Sequence, residues 1–578
     1  MKRKLVAILA CALGLAACAS HPGAAAPAAA PAVTPPASGL APLEVAIRDS
    51  RDLGPLPPTI EMSFDVTLAS RDPAGLQAAL ATGSALTPQA FADRYGPDPA
   101  RVRVVLRVLA AAGLVATWSA GDVLLTVTGQ AGSVERFLGV SIHRFVPRDG
   151  TPFYSALTTP AVPTSLGGAV IAITGLDDYQ RELTSAIPSG DAAGVTPQDM
   201  IKFYDITPLR NAGLDGTGQT VVFIEWGVPS TAVLDTWAKK FTPGSPFNIE
   251  LHQDAHAWGA PVTPSDKEYT DVAGEASLDL EIVHGIAPGA REVVYEFSNS
   301  SAIPNVIATI ASQFPHAILS SSISEHECEQ EQGATADGAA ENQVDLAAAA
   351  QGMSIFWASG DRGAYMCLNN FPNQDPNATT ELSVMPDASS AGVTAVGGTT
   401  TFFAANGDYF QESSWGEPVE QWGSGGGMST EIPRPSWQQG PGLPSSMTGR
   451  GLPDVAANAD IVSGWDVIEA APNNQVQEGP VGGTSAAAPF WAAVVALIDQ
   501  DLTNKSLPLV GFANPALYLF GQSPSGLPAP AFHDITLGTN LHYAAGPGWD
   551  MATGLGTPDV GALANDFEWY GRTHGTSG

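Results

Sequence analysis

The sequence reads as a two-part α/β protein, a large part with a mainly parallel sheet preceded by a smaller α/β unit. Unbroken apolar runs recur at residues 220–224, 317–319, 353–357 and 393–396, the pattern of strands buried on both faces. Helical stretches such as 334–351 separate them, and such alternation indicates parallel strands joined by helical crossovers. The chain has 578 residues, 44% of them hydrophobic, which at roughly 100 to 200 residues per domain allows two to four folded units.

Acids outnumber bases 58 to 25, for a formal net charge of −33. Charged residues are only 14% of the chain, so the imbalance reflects scarce Lys and Arg. Residues 43–190 hold 11 Arg against 14 acids, whereas 191–578 hold 11 bases against 44 acids and carry the whole excess. Such a surface repels phosphate backbones, which excludes a nucleic-acid partner. It suits acid, where carboxylates are protonated and self-repulsion relaxes.

Residues 1–18 place Lys2, Arg3 and Lys4 ahead of an apolar run over 5–17. The run is too short to cross a bilayer, which favours an export signal peptide. Its end, Leu15-Ala16-Ala17-Cys18, resembles a bacterial lipobox, and that resemblance implies a lipid on Cys18 and a cell-envelope lipoprotein precursor. Cleavage after Ala19, giving a secreted protein, is the alternative, since Ala17 and Ala19 also satisfy the small-x-small rule. The Pro/Ala-rich stretch 19–42 reads as a tether. Outside the leader only Cys328 and Cys367 remain, most simply a disulfide in an exported chain. Zinc would want more Cys or His at short spacing, and only His326 is close. No other stretch is long and apolar enough to span a membrane.

Within 43–185, strands are expected at 60–68, 122–128 and 141–145, and helices at 87–95, 100–113 and 134–138. This unit has no Cys, and His143 reads as a surface strand residue. Residues 181–200 are a Ser/Gly/Pro/Ala-rich connection, a natural boundary or cleavage zone. The larger unit, 186–578, follows.

Three elements of that unit carry chemistry. In Gly482-Gly483-Thr484-Ser485-Ala486-Ala487-Ala488-Pro489, ahead of an apolar helix expected over 490–502, a Ser among small residues permits close substrate approach beside a helix N-terminus. A purely structural turn is the competing reading. In Gly274-Glu275-Ala276-Ser277-Leu278-Asp279-Leu280-Glu281-Ile282, helical spacing puts Glu275 and Asp279 on one face with Leu278 and Ile282, while Glu281 points away. Half-buried neighbouring carboxyls cannot both ionise easily, so one is expected to hold its proton, as acid–base work at low pH requires. The run 354–363 ends a buried strand in the Gly-flanked Asp361, for which an Asx turn is the plain alternative.

Together these segments resemble the sedolisin family of serine-carboxyl peptidases. The resemblance extends to Phe223-Ile224-Glu225-Trp226-Gly227, Gly285-Ile286-Ala287-Pro288-Gly289-Ala290, Val396-Gly397-Gly398-Thr399, Gly425-Gly426-Gly427-Met428-Ser429 and Pro453-Asp454-Val455-Ala456-Ala457. The unit 43–185 resembles the activation propeptide of the kumamolisin branch, down to Leu86-Thr87-Pro88-Gln89-Ala90-Phe91. What this resemblance implies is a subtilisin-like catalytic domain after a small ferredoxin-like propeptide, working in acid. By position it puts the nucleophile on Ser485, the base on Glu275, its orienting carboxyl on Asp279, the oxyanion donor on Asp361 and an accessory carboxyl on Glu225. It also implies a Cys328–Cys367 disulfide and one Ca²⁺ held by Asp534, Ile535, Gly546, Gly548 and Asp550, against which metal-free Gly/Asp turns are the alternative. Where many relatives carry an aromatic after Ser-x-Ser, this chain has Ser322-Ile323-Ser324-Glu325, a departure that leaves the reach of the hydrogen-bond network and the pH optimum open but not the nucleophile.

The implied partners are protein or peptide substrates and the chain's own propeptide as inhibitor, with a membrane reached only through the lipid and a monomer as the expected state. The expected activity is acid endopeptidase, with tripeptidyl-exopeptidase action as the alternative within the family. A Ser-His-Asp triad would need a His at a helix start before Ser485; His284 closes the carboxylate helix and His574 sits at the chain end. A binding protein on a dead scaffold is the remaining alternative, opposed by four intact key positions.

Overall fold

The computed structural model describes Ile47 and residues 50–574, apart from 148–151, 180–186, 189–193, 255–257, 260, 265–268, 300–301, 324–327, 330–333, 370–380, 420 and 472–474. The readings made for the leader, Cys18, the tether, Glu325 and the 185/186 boundary lie outside the described residues.

The first unit runs β1 (Arg51–Pro55), β2 (Glu61–Leu68), α1 (Pro73–Leu80), α2 (Pro88–Arg94), α3 (Pro99–Ala111), β3 (Leu124–Gln130), α4 (Ala131–Leu138), β4 (Ile142–Val146), β5 (Phe153–Ala156) and β6 (Val170–Thr174). Helices α1, α2 and α3 each open on a Pro behind a capping Asp72, Thr87 or Asp98 whose side chain accepts a backbone N–H. Proline's fixed φ and missing donor suit that position, and the cap satisfies an N–H left free by the helix start. The strands form two antiparallel sheets, β1-β4-β5 and β3-β2-β6. Phe64, Val66, Leu68, Val105, Leu109, Val127 and Val134 are buried between sheet and helix. β1 carried no alternating pattern in the sequence because it is exposed along most of its length. β5, at four residues, is too short to show one.

The second unit contains β7 (Ile187–Pro188), α5 (Pro197–Phe203), α6 (Thr207–Asn211), β8 (Thr220–Glu225), α7 (Thr231–Phe241), β9 (Glu250–Gln253), α8 (Tyr269–Ile286), β10 (Arg291–Glu296), α9 (Ile303–Gln313), β11 (Ile318–Ser321), α10 (Ala334–Ala350), β12 (Ser354–Ala358), β13 (Thr394–Phe403) and β14 (Tyr409–Ser414). Further on lie β15 (Val455–Asn458), β16 (Trp465–Ala471), β17 (Gln475–Gly482) and α11 (Thr484–Asn504). Among the described residues eight strands make the main sheet in the order β14-β13-β12-β11-β8-β10-β9, with β15 also paired to β13. Every pairing is parallel except β13 with β14. The four apolar runs are β8, β11, β12 and β13, and β11 and β12 are buried throughout.

Helices α8 and α11 pack on each other and are buried over most of their length, α8 carrying buried Glu275, Asp279 and Glu281 among its apolar residues. Helix α11 begins at Thr484, not at 490 as the sequence suggested. Gly483, at φ +111°, makes the turn into the helix. Pro489 sits inside it and, having no N–H, leaves the Ser485 carbonyl without its intrahelical donor.

The sheet β3-β2-β6 of the first unit lies over α9 and α10 of the second. Leu76, Leu80, Phe91, Tyr95 and Val123 join the large unit's apolar core, and Leu86 N–H donates to the Ala350 carbonyl at 2.8 Å. At the same contact the Asn305 amide donates to the Thr126 hydroxyl (2.7 Å), which donates to Asp65 (2.8 Å). Among the described residues no helix is long and apolar enough to cross a membrane.

Candidate active site

Ligands in open parallel sheets gather beyond the carboxyl ends of the strands, and that is where this chain collects its reactive groups. Glu225 is the last residue of β8, Ser322 follows β11, and Asp361 comes three residues after β12. These strands are neighbours, with Ser320 opposite both Phe223 and Phe356, so the three side chains arrive at one edge. A disulfide between Cys328 and Cys367, Cα atoms 5.1 Å apart, joins the loop after β11 to the turn after β12.

Helix α8 brings Glu275 and Asp279 to this edge one turn apart, and both are buried. The Ser322 hydroxyl lies 2.8 Å from each oxygen of Asp279. Glu225 faces Asp279, and no N–H or hydroxyl of the described residues reaches it, so a hydrogen bond between the two carboxyls requires that one carry a proton. Burial, then repulsion from Asp279 and Glu275, pushes the Glu225 carboxyl well above its ordinary range. Burial and the Glu275 charge do the same to Asp279, partly opposed by the bond from Ser322.

Ser485 is the second residue of α11 and is buried. Its neighbour Thr484 donates a backbone N–H (2.7 Å) and its hydroxyl (2.8 Å) to the same Asp361 oxygen, and Gly360 N–H in turn donates to that hydroxyl at 3.0 Å. The other Asp361 oxygen is buried without a partner. Burial pushes this carboxyl up to about 6 despite the two bonds from Thr484. Below that pH the free oxygen carries a proton and is a donor. The glycine turn 425–427 closes on the same place: Gly425 N–H donates to the Gly360 carbonyl at 2.7 Å, and a Cβ on Gly425 would sit 1.9 Å from the Ser359 carbonyl oxygen.

Glu281, also on α8, points to β16 and accepts the Ile468 N–H at 3.0 Å, apart from the cluster. His284 bonds Glu292 (3.2 Å) and the Ser245 carbonyl (2.9 Å) at the far end of α8. His143 is half-buried beside Asp52 (2.9 Å) in the first unit.

Asp534 and Asp550 stand at the two ends of the segment 534–550, and each accepts a backbone N–H from within it. Gly548 N–H donates to both Asp534 oxygens at 3.1 Å and Gly546 N–H to Asp550 at 2.8 Å, with Ile535 buried alongside. The donor set is one of hard oxygens, as calcium prefers. Among the described residues no group of three or more His, Cys, Asp or Glu is placed to hold a metal, so backbone carbonyls must supply much of any coordination there.

Two residues escaped the sequence reading. Ser322 was visible only as part of a motif that departs from the family, and Thr484 only as the neighbour of Ser485. Their partners lie 43 and 123 residues away, which leaves no local signal.

Two family models match the chain: "Pro-kumamolisin, activation domain" over residues 48–179 and "Subtilase family" over 244–509. Kumamolisin of Bacillus sp. (strain MN-32) is 32% identical over 88% of this chain and 92% of its own. Tripeptidyl-peptidase 1 of Rattus norvegicus is 28% identical over 83% of this chain and 85% of its own. The solved structure of Pseudomonas sedolisin, a serine-carboxyl proteinase complexed with two molecules of pseudo-iodotyrostatin, aligns with TM-score 0.53 and 27% identity, covering 67% of this chain and all of that one.

Proposed function

The chain belongs to the sedolisin family of serine-carboxyl peptidases, and we propose on that premise that it is an acid-acting endopeptidase made as a self-processed zymogen. It is a serine peptidase with an activation domain; the assignments that follow are our reading. Glu275 takes the proton of the Ser485 hydroxyl as Oγ attacks the scissile carbonyl. Protonated Asp361 donates from its unpartnered oxygen to the tetrahedral oxyanion. Glu275 then returns the proton to the leaving amine, and an acyl-enzyme on Ser485 is hydrolysed by water with Glu275 again as base. Asp279 orients Glu275 and shares a proton with Glu225, so the site keeps few negative charges while buried.

The observation that carries this reading is the Asp361 carboxyl, held through one oxygen by the residue preceding Ser485 and left unpartnered at the other. An S485A variant tests it: acid peptidase activity and self-processing should both vanish, and activity that survives would refute the reading.

Residues 43–185 act as inhibitory propeptide and 186–578 as the enzyme. Self-processing is supported by β7, whose Ile187 and Pro188 pair antiparallel with Gly482 and Val481, just ahead of Ser485. The match to a tripeptidyl-peptidase favours a second reading, exopeptidase action. A substrate with a blocked N-terminus separates the two, because only an endopeptidase cleaves it. Export through the leader with a lipid on Cys18, a monomeric state and one Ca²⁺ held by Asp534, Asp550 and the carbonyls of Ile535, Gly546 and Gly548 complete the proposal. The ion would brace the segment whose backbone N–H groups both Asp side chains accept.

A further inference from the structure

The Ser322 hydroxyl has one proton and two acceptors that belong to different parts of the site. It lies 2.8 Å from both oxygens of Asp279 on α8 and 3.2 Å from the backbone carbonyl of Ser485 on α11. In an uninterrupted helix the Ser485 carbonyl would receive the N–H of residue 489. That residue is Pro489, which has none, so the carbonyl beneath the nucleophile lacks its intrahelical donor. Ser322 stands where it can supply the replacement. It is 3% exposed, so water cannot readily substitute for it.

We propose that Ser322 is a positioning residue whose hydroxyl proton alternates between the Asp279 carboxylate and the Ser485 carbonyl, tying the nucleophile's turn to the charge of the carboxyl pair. The inference rests on the assignment of Ser485, Glu275 and Asp279 given above. With Asp279 ionised, its oxygens are the stronger acceptors and hold the Ser322 proton. With Asp279 protonated, the carboxyl O–H donates, and the Ser322 proton turns to the Ser485 carbonyl. The groups facing Asp279 among the described residues are Glu275 from its own helix, Glu225 from β8 and Ser322 from the end of β11, with the Ser485 carbonyl of α11 on the far side of that hydroxyl, and no cation is among them. The proton that Glu275 removes from Ser485 therefore enters a group of carboxyls in which Asp279 shares its Ser322 hydroxyl partner with the nucleophile's backbone. Through that hydroxyl the first turn of α11 is steadied when the pair gains a proton, which is when Oγ attacks and the tetrahedral intermediate forms.

The test is a pH–rate profile of acid-processed enzyme on an internally quenched peptide. Loss of the donor destabilises ionised Asp279, so S322A should move the acid limb of kcat/KM upward by roughly half to one pH unit, the alkaline limb staying in place. Misplacement of the nucleophile should lower kcat about 10- to 100-fold with KM within about twofold. S322T, which keeps the hydroxyl, should restore both. If S322A does not fold, S322C, whose thiol is a weak donor, compared with S322T, carries the same prediction. An unmoved acid limb in the donor-deficient variant, or a folded S322T no better than it, overturns the proposal. Activity surviving S485A instead overturns the mechanism on which it rests, so the two failures are told apart.

Discussion

Thr484 gives its backbone N–H and its hydroxyl to one oxygen of Asp361, at 2.7 and 2.8 Å, and leaves the other oxygen buried and bare. A carboxyl so held can donate only while protonated. Burial sets that limit at about 6. Activity should therefore fall as pH rises through 6. In D361N the amide oxygen can keep both Thr484 bonds while the NH₂ donates at any pH, so the alkaline limb of kcat/KM should move above 6. D361A, with no donor, should lose about 100- to 1,000-fold in kcat at every pH. A D361N profile that still falls at 6 would remove Asp361 from the oxyanion role.

Stability should be greatest in acid. Burial raises Asp345 to about 8 and both Glu412 and Asp499 to about 7, and it raises Glu225, Asp279 and Glu281 well above their ordinary range. In an unfolded chain these groups titrate near ~4. Between about 4 and 8 the native state therefore holds protons that the unfolded state has released, and linkage makes stability fall as pH rises across that interval. Below it, both states are protonated and the stabilisation is fully present. Thermal melts of the full-length S485A zymogen, which cannot digest itself, should show Tm dropping by at least ~5 °C from pH 4 to pH 8. A flat or rising profile would contradict this.

Self-processing should yield a new N-terminus within 184–198, the zone that holds the Ile187–Pro188 strand paired with Val481 and Gly482 ahead of Ser485. Mass spectrometry of the acid-treated protein reads this directly and also reports any lipid on Cys18. The S485A chain should stay intact under the same conditions when incubated alone.

Chelation should destabilise the loop at 534–550. EDTA is expected to lower Tm by several degrees, calcium to restore it, and magnesium, which demands tighter octahedral geometry, to do so poorly. D534N and D550N should lose the calcium response. A Tm indifferent to EDTA and calcium would leave Asp534 and Asp550 as turn formers, each already holding a backbone N–H of the loop.

How much of the site was legible depends on the range of the interaction that makes each part. The spacing of Glu275 and Asp279 settles that they share a helix face, because a turn of α-helix is a local object. The same holds for the Gly-Gly-Thr-Ser-Ala turn and for the apolar runs that became β8, β11, β12 and β13. The excess of 33 negative charges likewise points to acid from composition alone, and buried carboxyls that keep their protons give that reading a structural basis.

Tertiary structure decided which carboxyl meets which donor. Glu225, Ser322 and Asp361 come together because three adjacent parallel strands end at one edge. Proton sharing between Glu225 and Asp279, the hold of Thr484 on Asp361, and the reach of Ser322 to two acceptors follow from that juxtaposition. These pairs lie between 43 and 163 residues apart in sequence. Local periodicity carries no information at that distance; the strand order and register of the sheet supply it.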